Sequence, residues 1–135
     1  MQSLEAQAAQ RTGPSHKLDS ILLELRRRVP GLRGSAIADK NGLPIASDLP
    51  PTVHMLMVTA MSALAMQSYS SILANLSLQQ LDNIVAEGKD SFVLVKSMAG
   101  GNASFFAVLK HDADPELAKK EIARAAAEAQ TVLTG

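Results

Sequence analysis

The 135 residues are enough for one domain with its own core and too few for two. The 13 Lys and Arg balance 13 Asp and Glu, so the chain lacks the cationic excess of a general nucleic-acid or anionic-membrane binder, and one Tyr and three Phe make no base-stacking platform. The absence of cysteine removes disulfide frameworks, thiolate nucleophiles and Cys-based metal sites.

Residues 1–15, MQSLEAQAAQRTGPS, contain neither the apolar core of a secretory signal nor a myristoylation pattern. They are expected to form a flexible tail before a domain spanning 16–135, in a cytoplasmic protein. Ser15 is placed to cap a helix beginning at His16, on which Leu18, Ile21, Leu22, Leu25 and Val29 form one apolar stripe. Pro30 and Gly31 end it. In GSAIADKNGLPIASDL the Asn41-Gly42 pair marks a tight turn, because both residues tolerate positive φ, and a hairpin pairing 33–39 with 43–47 follows.

From Leu49 to Leu81 there is no Asp, Glu, Lys or Arg. The segment 53–76, VHMLMVTAMSALAMQSYSSILANL, reads as a helix with Thr52 as cap or Pro51 in its first turn. Residues 81–112 then hold three strand-like runs separated by Gly88-Lys89-Asp90 and Gly100-Gly101-Asn102, and such short connections imply an antiparallel meander. Asp114 and Pro115 open a last helix as cap and first residue, with Ala118, Ile122, Ala125, Ala129 and Val132 on one face. The predicted order is α-β-β-α-β-β-β-α.

The uncharged helix carries two stripes. One is Val53, Met57, Ala60, Met61, Leu64, Ser68 and Ile72; the other is Met55, Val58, Ser62, Ala65, Met66, Tyr69 and Leu73. A single sheet surface covers only one of them. A stripe ~10 Å wide along ~36 Å of helix is ~350 Å², the size at which exposed apolar patches mark interfaces. Burying it contributes at most ~9 kcal/mol before association costs. A membrane span has the right length, but Thr59, Ser62, Gln67, Ser68, Ser70, Ser71 and Asn75 interrupt it and no Lys or Arg anchors its ends. A fully buried central helix needs more surrounding elements than this chain supplies. The remaining reading packs the second stripe on another chain, most simply a second copy about a twofold axis.

The motifs D-x-x-G-x-x-I-A-S (Asp39, Gly42, Ile45, Ala46, Ser47) and I-V-x-E-G (Ile84, Val85, Glu87, Gly88), with the intervening apolar helix and the strand ASFFAVL, resemble the roadblock / dynein light chain family, in particular its prokaryotic MglB-like branch. The resemblance covers about residues 16–133. It implies an α+β fold, a five-stranded antiparallel sheet with helices on both faces in a roadblock-like, profilin-like sandwich, with the first and last helices on one face and the middle helix on the other. It also implies dimerisation through the middle helices and edge-to-edge through the third strand. On that basis the expected dimer interface is Met55, Val58, Ser62, Ala65, Met66, Tyr69, Leu73, Asp82, Ile84 and Ala86, and Asp39, Gly42, Ser47, Glu87 and Gly88 are structural turn motifs. The implied function is regulation of a small Ras-like GTPase by a non-catalytic homodimer or paralogue pair, the alternative being a structural adaptor that joins larger assemblies without GTPase regulation.

No G-x-x-x-x-G-K-[ST] loop is present, so the chain is not itself a P-loop GTPase. His16, His54 and His111 lack ligand spacing, Gly31 and Gly34 read as turn glycines, and no G-x-S-x-G elbow surrounds Ser35 or Ser47. No catalytic residue, metal or cofactor is expected. Arg26, Arg27, Arg28 and Arg33 read either as the solvated end of the first helix, where cations suit the dipole, or as a docking patch for an acidic partner or an arginine supplied to a GTPase site, the last disfavoured by the family resemblance. A small-molecule sensor would need a pocket between sheet and helix, and no polar residues are seen to converge in the apolar segments.

Overall fold

A computed structural model describes residues 13–134. Its elements are α1 (Gly13–Arg28), β1 (Leu32–Asp39), β2 (Pro44–Asp48), α2 (Met55–Asn75), β3 (Asn83–Glu87), β4 (Ser91–Met98), a single 3₁₀ turn (Ala99–Gly101), β5 (Ala103–Lys110) and α3 (Pro115–Thr134). The expected tail lies outside the described residues as far as residue 12. Helix α1 starts at Gly13, so Ser15 sits inside its first turn and is not the cap.

All strand pairs are antiparallel, in the order β2-β1-β5-β4-β3. The turn between β1 and β2 is built by Asp39. Its Oδ1 accepts from the backbone N–H of Asn41 (2.8 Å) and Leu43 (3.0 Å), while its C=O accepts from Gly42 N–H (3.0 Å). This local closure leaves positive φ only to Gly42. Ser47 lies within β2, opposite Ala36, and Gly34 lies within β1, so neither is a turn residue. Gly88 does close a turn, donating to Ser91 O at 2.8 Å just after Glu87 ends β3.

The period-two pattern divides the sheet residues between two layers. Ile37, Leu94, Phe105, Ala107 and Leu109 join Leu18, Leu22, Leu25 and Val29 of α1 and Ala118, Ile122, Ala125 and Ala129 of α3 in the main core. Both predicted stripes are therefore the packed faces, and Asp114 Oδ1 caps α3 by accepting from the N–H of Glu116 and Leu117. On the opposite face Ala36, Ala38, Ser104 and Phe106 are buried beneath α2.

Helix α2 starts later than its cap candidates suggest. Val53 N–H bonds Pro50 O at 3.0 Å in a turn that carries the chain to the other face, so Pro51 and Thr52 precede the helix and His54 is the N-cap, without a side-chain bond. Thr59, Ser62 and Ala63 form its buried underside. The hydroxyls there bond back to their own helix, Thr59 Oγ1 to Met55 O (3.1 Å) and Ser62 Oγ to Val58 O (2.9 Å), so they approach the sheet with their hydrogen bonds satisfied.

Asp48, almost fully buried, receives Arg26 Nε at 2.7 Å and the guanidinium Nη2 at its other oxygen, which ties α1 to edge strand β2. Asp48→Ala is expected to cost about 1.5–3 kcal/mol, the range for a charge-assisted hydrogen bond. Urea unfolding reads this directly, and an unchanged midpoint would show the pair to be a surface ornament.

Candidate interaction surface

Two surfaces converge on the α2 side of the sheet. The first is α2 itself. Its outermost residues are Met57, Met61, Leu64 and Ile72, with Met61 61% and Leu64 62% exposed. These belong to the first of the two stripes, and this corrects the expectation that the second stripe faces outward. Ser62, at 5% exposure, packs on the sheet. Val58, Ala65, Met66 and Leu73 are half-buried, while Met55 and Tyr69 are exposed. The physical reason is size. Thr59, Ser62 and Ala63 are small side chains buried against the sheet, which lets α2 lie close to β1 and β5 with its bulky Met and Leu side chains outward.

The resulting rotation of α2 about its axis defines two flanks. Gln67 Nε2 reaches Lys40 O at 3.5 Å, and a Cβ on Gly42 would stand 2.6 Å from Ala60 Cα, so this flank faces the β1–β2 turn. At 100° per residue, Met61, Ala65, Tyr69 and Ile72 lie on the other flank, toward β4 and β3.

The second surface is β3, an edge strand paired only with β4. Ser97 N–H bonds Asp82 O (2.9 Å) and Gly88 N–H bonds Ser91 O (2.8 Å). By antiparallel alternation Ile84 and Ala86 also pair inward, and the backbone groups of Asn83, Val85 and Glu87 point away from the sheet. Ile84, half-buried, and Ala86, exposed, present their side chains on the α2 face. Asp82 is held just before the strand by Lys96 Nζ at 2.7 Å. The edge and the apolar flank of α2 thus lie on the same side of the sheet, with α2 over β1 and β5 and β4 between it and β3.

The four arginines do not act as one patch. Arg26 is committed to Asp48 and Arg28 to Glu24 (3.1 Å) with Glu121 (3.7 Å). The Glu24 hydrogen bond holds the Arg28 guanidinium above its ordinary pKa, and Glu24 also lies 3.7 Å from Arg27. Arg33 is exposed on β1. The helix-end reading accounts for three of them.

A cleft of about 660 Å³ opens beneath the C-terminal half of α2, between the β1–β2 turn, the segment 78–81 and the ends of β4 and β5. Gln67, Ser70, Ser71, Gln79, Gln80 and Ser97 converge on it, contrary to the expectation that no polar groups meet there. The spacing of Gln67, Ser70 and Ser71 at i, i+3 and i+4 was the available signal, since it sets uncharged polar groups on one flank of an apolar helix. Among the described residues, no group of three or more His, Asp or Glu could hold a metal ion.

A sandwich of this topology, with an apolar outer helix beside an open edge strand, is the architecture of a roadblock-type interaction domain. The chain belongs to the Roadblock/LC7 family, whose domain model matches residues 18–110. An uncharacterised protein of Methanocaldococcus jannaschii is 32% identical over 84 residues, covering 62% of this chain and 73% of that one. MglB of Myxococcus xanthus shares the fold with a TM-score of 0.80 at 13% identity, over 87% of this chain and 88% of that one. The gliding protein MglB of Thermus thermophilus gives a TM-score of 0.80 at 17% identity, over 90% and 92% of the two chains.

Proposed function

We propose that this protein is a non-catalytic, cytoplasmic homodimeric platform that binds a small Ras-like GTPase and changes its GTP hydrolysis or nucleotide state. The observation that carries the reading is the presence of two unpaired features on one side of the sheet, the apolar flank of α2 and the open edge of β3. A second copy satisfies both at once, because a twofold axis beside β3 pairs edge with edge and helix with helix. The Roadblock/LC7 family and the MglB-like fold support the GTPase as partner. Its rate would change by reshaping of its switch loops, which needs no reacting group from this chain.

The test mixes the purified chain with small GTPases loaded with GTP or a non-hydrolysable analogue. A complex and an altered hydrolysis rate are expected with at least one. Neither effect with any of them removes the reading.

The edge pairing has its own test. Val85→Pro deletes an N–H that points away from β4, so no hydrogen bond of the protomer is lost. It is expected to weaken self-association at least tenfold with little loss of thermal stability, whereas Ile84→Pro should also destabilise the fold. Equal dimer affinity in wild type and Val85→Pro, by analytical ultracentrifugation, would exclude β3 from the interface.

A further inference from the structure

The cleft beneath α2 is a separate feature of this face, not used by the dimer proposed above. It runs from the β1–β2 turn to the segment 78–81 that leads into β3, and its end beside Lys40 and Asn41 lies at the turn, distant from the β3 edge. Apart from Asp39 and Lys40 at the turn, its walls are neutral hydrogen-bonding groups. Asn41, Gln67, Gln79 and Gln80 contribute side-chain amides, each holding a donor and an acceptor like a peptide unit, and Ser70, Ser71 and Ser97 contribute hydroxyls. The apolar part of the lining comes from Ala63, Met66, Leu78 and Leu81, and Met66 is adaptable in shape.

One lining group stands out. Ser104 is 4% exposed, lies on the α2 face of β5, and its Oγ has no hydrogen-bond partner. An orphaned buried hydroxyl costs about 1–3 kcal/mol, and because the Oγ is closed to solvent, a ligand whose entry opens this position and supplies the missing bond is favoured.

The same residues narrow the ligand class. Among the described residues Lys40 is the one cation lining the cleft, and Asp39 already accepts two backbone N–H groups at Oδ1, so neither a phosphate nor a cation is selected. No aromatic ring among the described residues lines the cleft, so a base or sugar ring has no face to stack on. The volume lies within the range of specific ligand sites, but the exposed walls of Lys40, Asn41, Ser71, Ala74 and Gln80 leave it open, as suits a chain that enters and leaves. We propose that this cleft is a docking groove for an extended, uncharged segment of a partner polypeptide, its main chain bonded by the amide and hydroxyl walls and its small apolar side chains resting on the apolar part of the lining.

A phage-displayed library of heptapeptides without Asp, Glu, Lys, Arg or His, selected on the full chain, tests this. Recovered peptides, remade with a fluorophore, should bind by fluorescence polarisation with little dependence on salt. Ala74→Trp, at an exposed helical position lining the cleft, should weaken binding at least tenfold. Ser71→Trp is the second blocking variant if circular dichroism shows the first to be misfolded. Ser104→Ala should raise Tm while weakening the same peptides about three- to tenfold, a combination that a purely structural serine would not give. Met61→Glu, which targets the dimer, should leave peptide affinity unchanged, so failure here is separable from failure of the dimer reading. No enriched sequence, binders indifferent to the blocking variants, or binding of glucose or adenosine in place of peptides would overturn the proposal. Loss of peptide binding on dimerisation would also overturn it, because it would assign the cleft to the second copy.

Discussion

Gly42→Ala is expected to destabilise the protein by about 2–5 kcal/mol. Two costs add. The residue has φ +84°, where a Cβ costs about 1–2 kcal/mol. The new Cβ would also stand 2.6 Å from Ala60 Cα and 3.2 Å from Thr59 O, backbone atoms that yield only if α2 moves, and displacing packed structure costs about 1–3 kcal/mol. Gly101 separates the terms, since it has φ +99° but no heavy atom within 4 Å of a built Cβ. Gly101→Ala should lose only the backbone share. At roughly 3–5 °C per kcal/mol for a domain of this size, the two Tm values should differ by several degrees. Equal losses would mean that the turn and helix are not in tight contact. The consequence for function is direct, because a shifted α2 also misplaces the apolar flank on which the proposed dimer rests.

Met61→Glu is expected to raise the dimer dissociation constant at least 100-fold while leaving the protomer folded. Met61 is exposed on the β3 flank of α2, so its replacement costs the isolated chain little. In a twofold helix pair each protomer would bury one carboxylate without a partner, close to its symmetry mate. A 100-fold change corresponds to about 2.7 kcal/mol, below the several kcal/mol that such desolvation and repulsion supply. Sedimentation and light scattering at micromolar concentration check it. An unchanged dimer would place the helix contact elsewhere. The half-buried Ala65 is a poorer choice, because a glutamate there would also strain the packing of α2 on its own sheet.

Much of this fold is legible in the residues. Helices α1 and α3 carry one apolar stripe each against charged faces, and a stripe of that kind has only one side to bury. The Asn41-Gly42 and Gly100-Gly101 turns are equally readable, because left-handed backbone there favours glycine. Asp114 and Pro115 announce α3 through a cap and a pre-set φ. The start of α2 was less legible, since Thr52 has the right chemistry for a cap but the turn from Pro50 to Val53 consumes those residues.

The candidate site was legible only in outline. That α2 carries no charge, and so has more apolar surface than one sheet can cover, is written in residues 49–81. Which stripe turns outward is not, because a helix apolar or small on every side has no amphipathic direction. Its rotation is set by contact, with the small Thr59, Ser62 and Ala63 buried against the sheet and the bulky Met57, Met61 and Leu64 outward. The pairing of arginines with Asp48 and Glu121, residues distant in sequence, and the meeting of Gln67, Ser70 and Ser71 with Ser97 and Ser104 depend in the same way on the closed sheet. Local periodicity and turn chemistry determined the elements and their order. Only tertiary packing decided which faces remained free, because a free face is defined by where the neighbouring atoms stop.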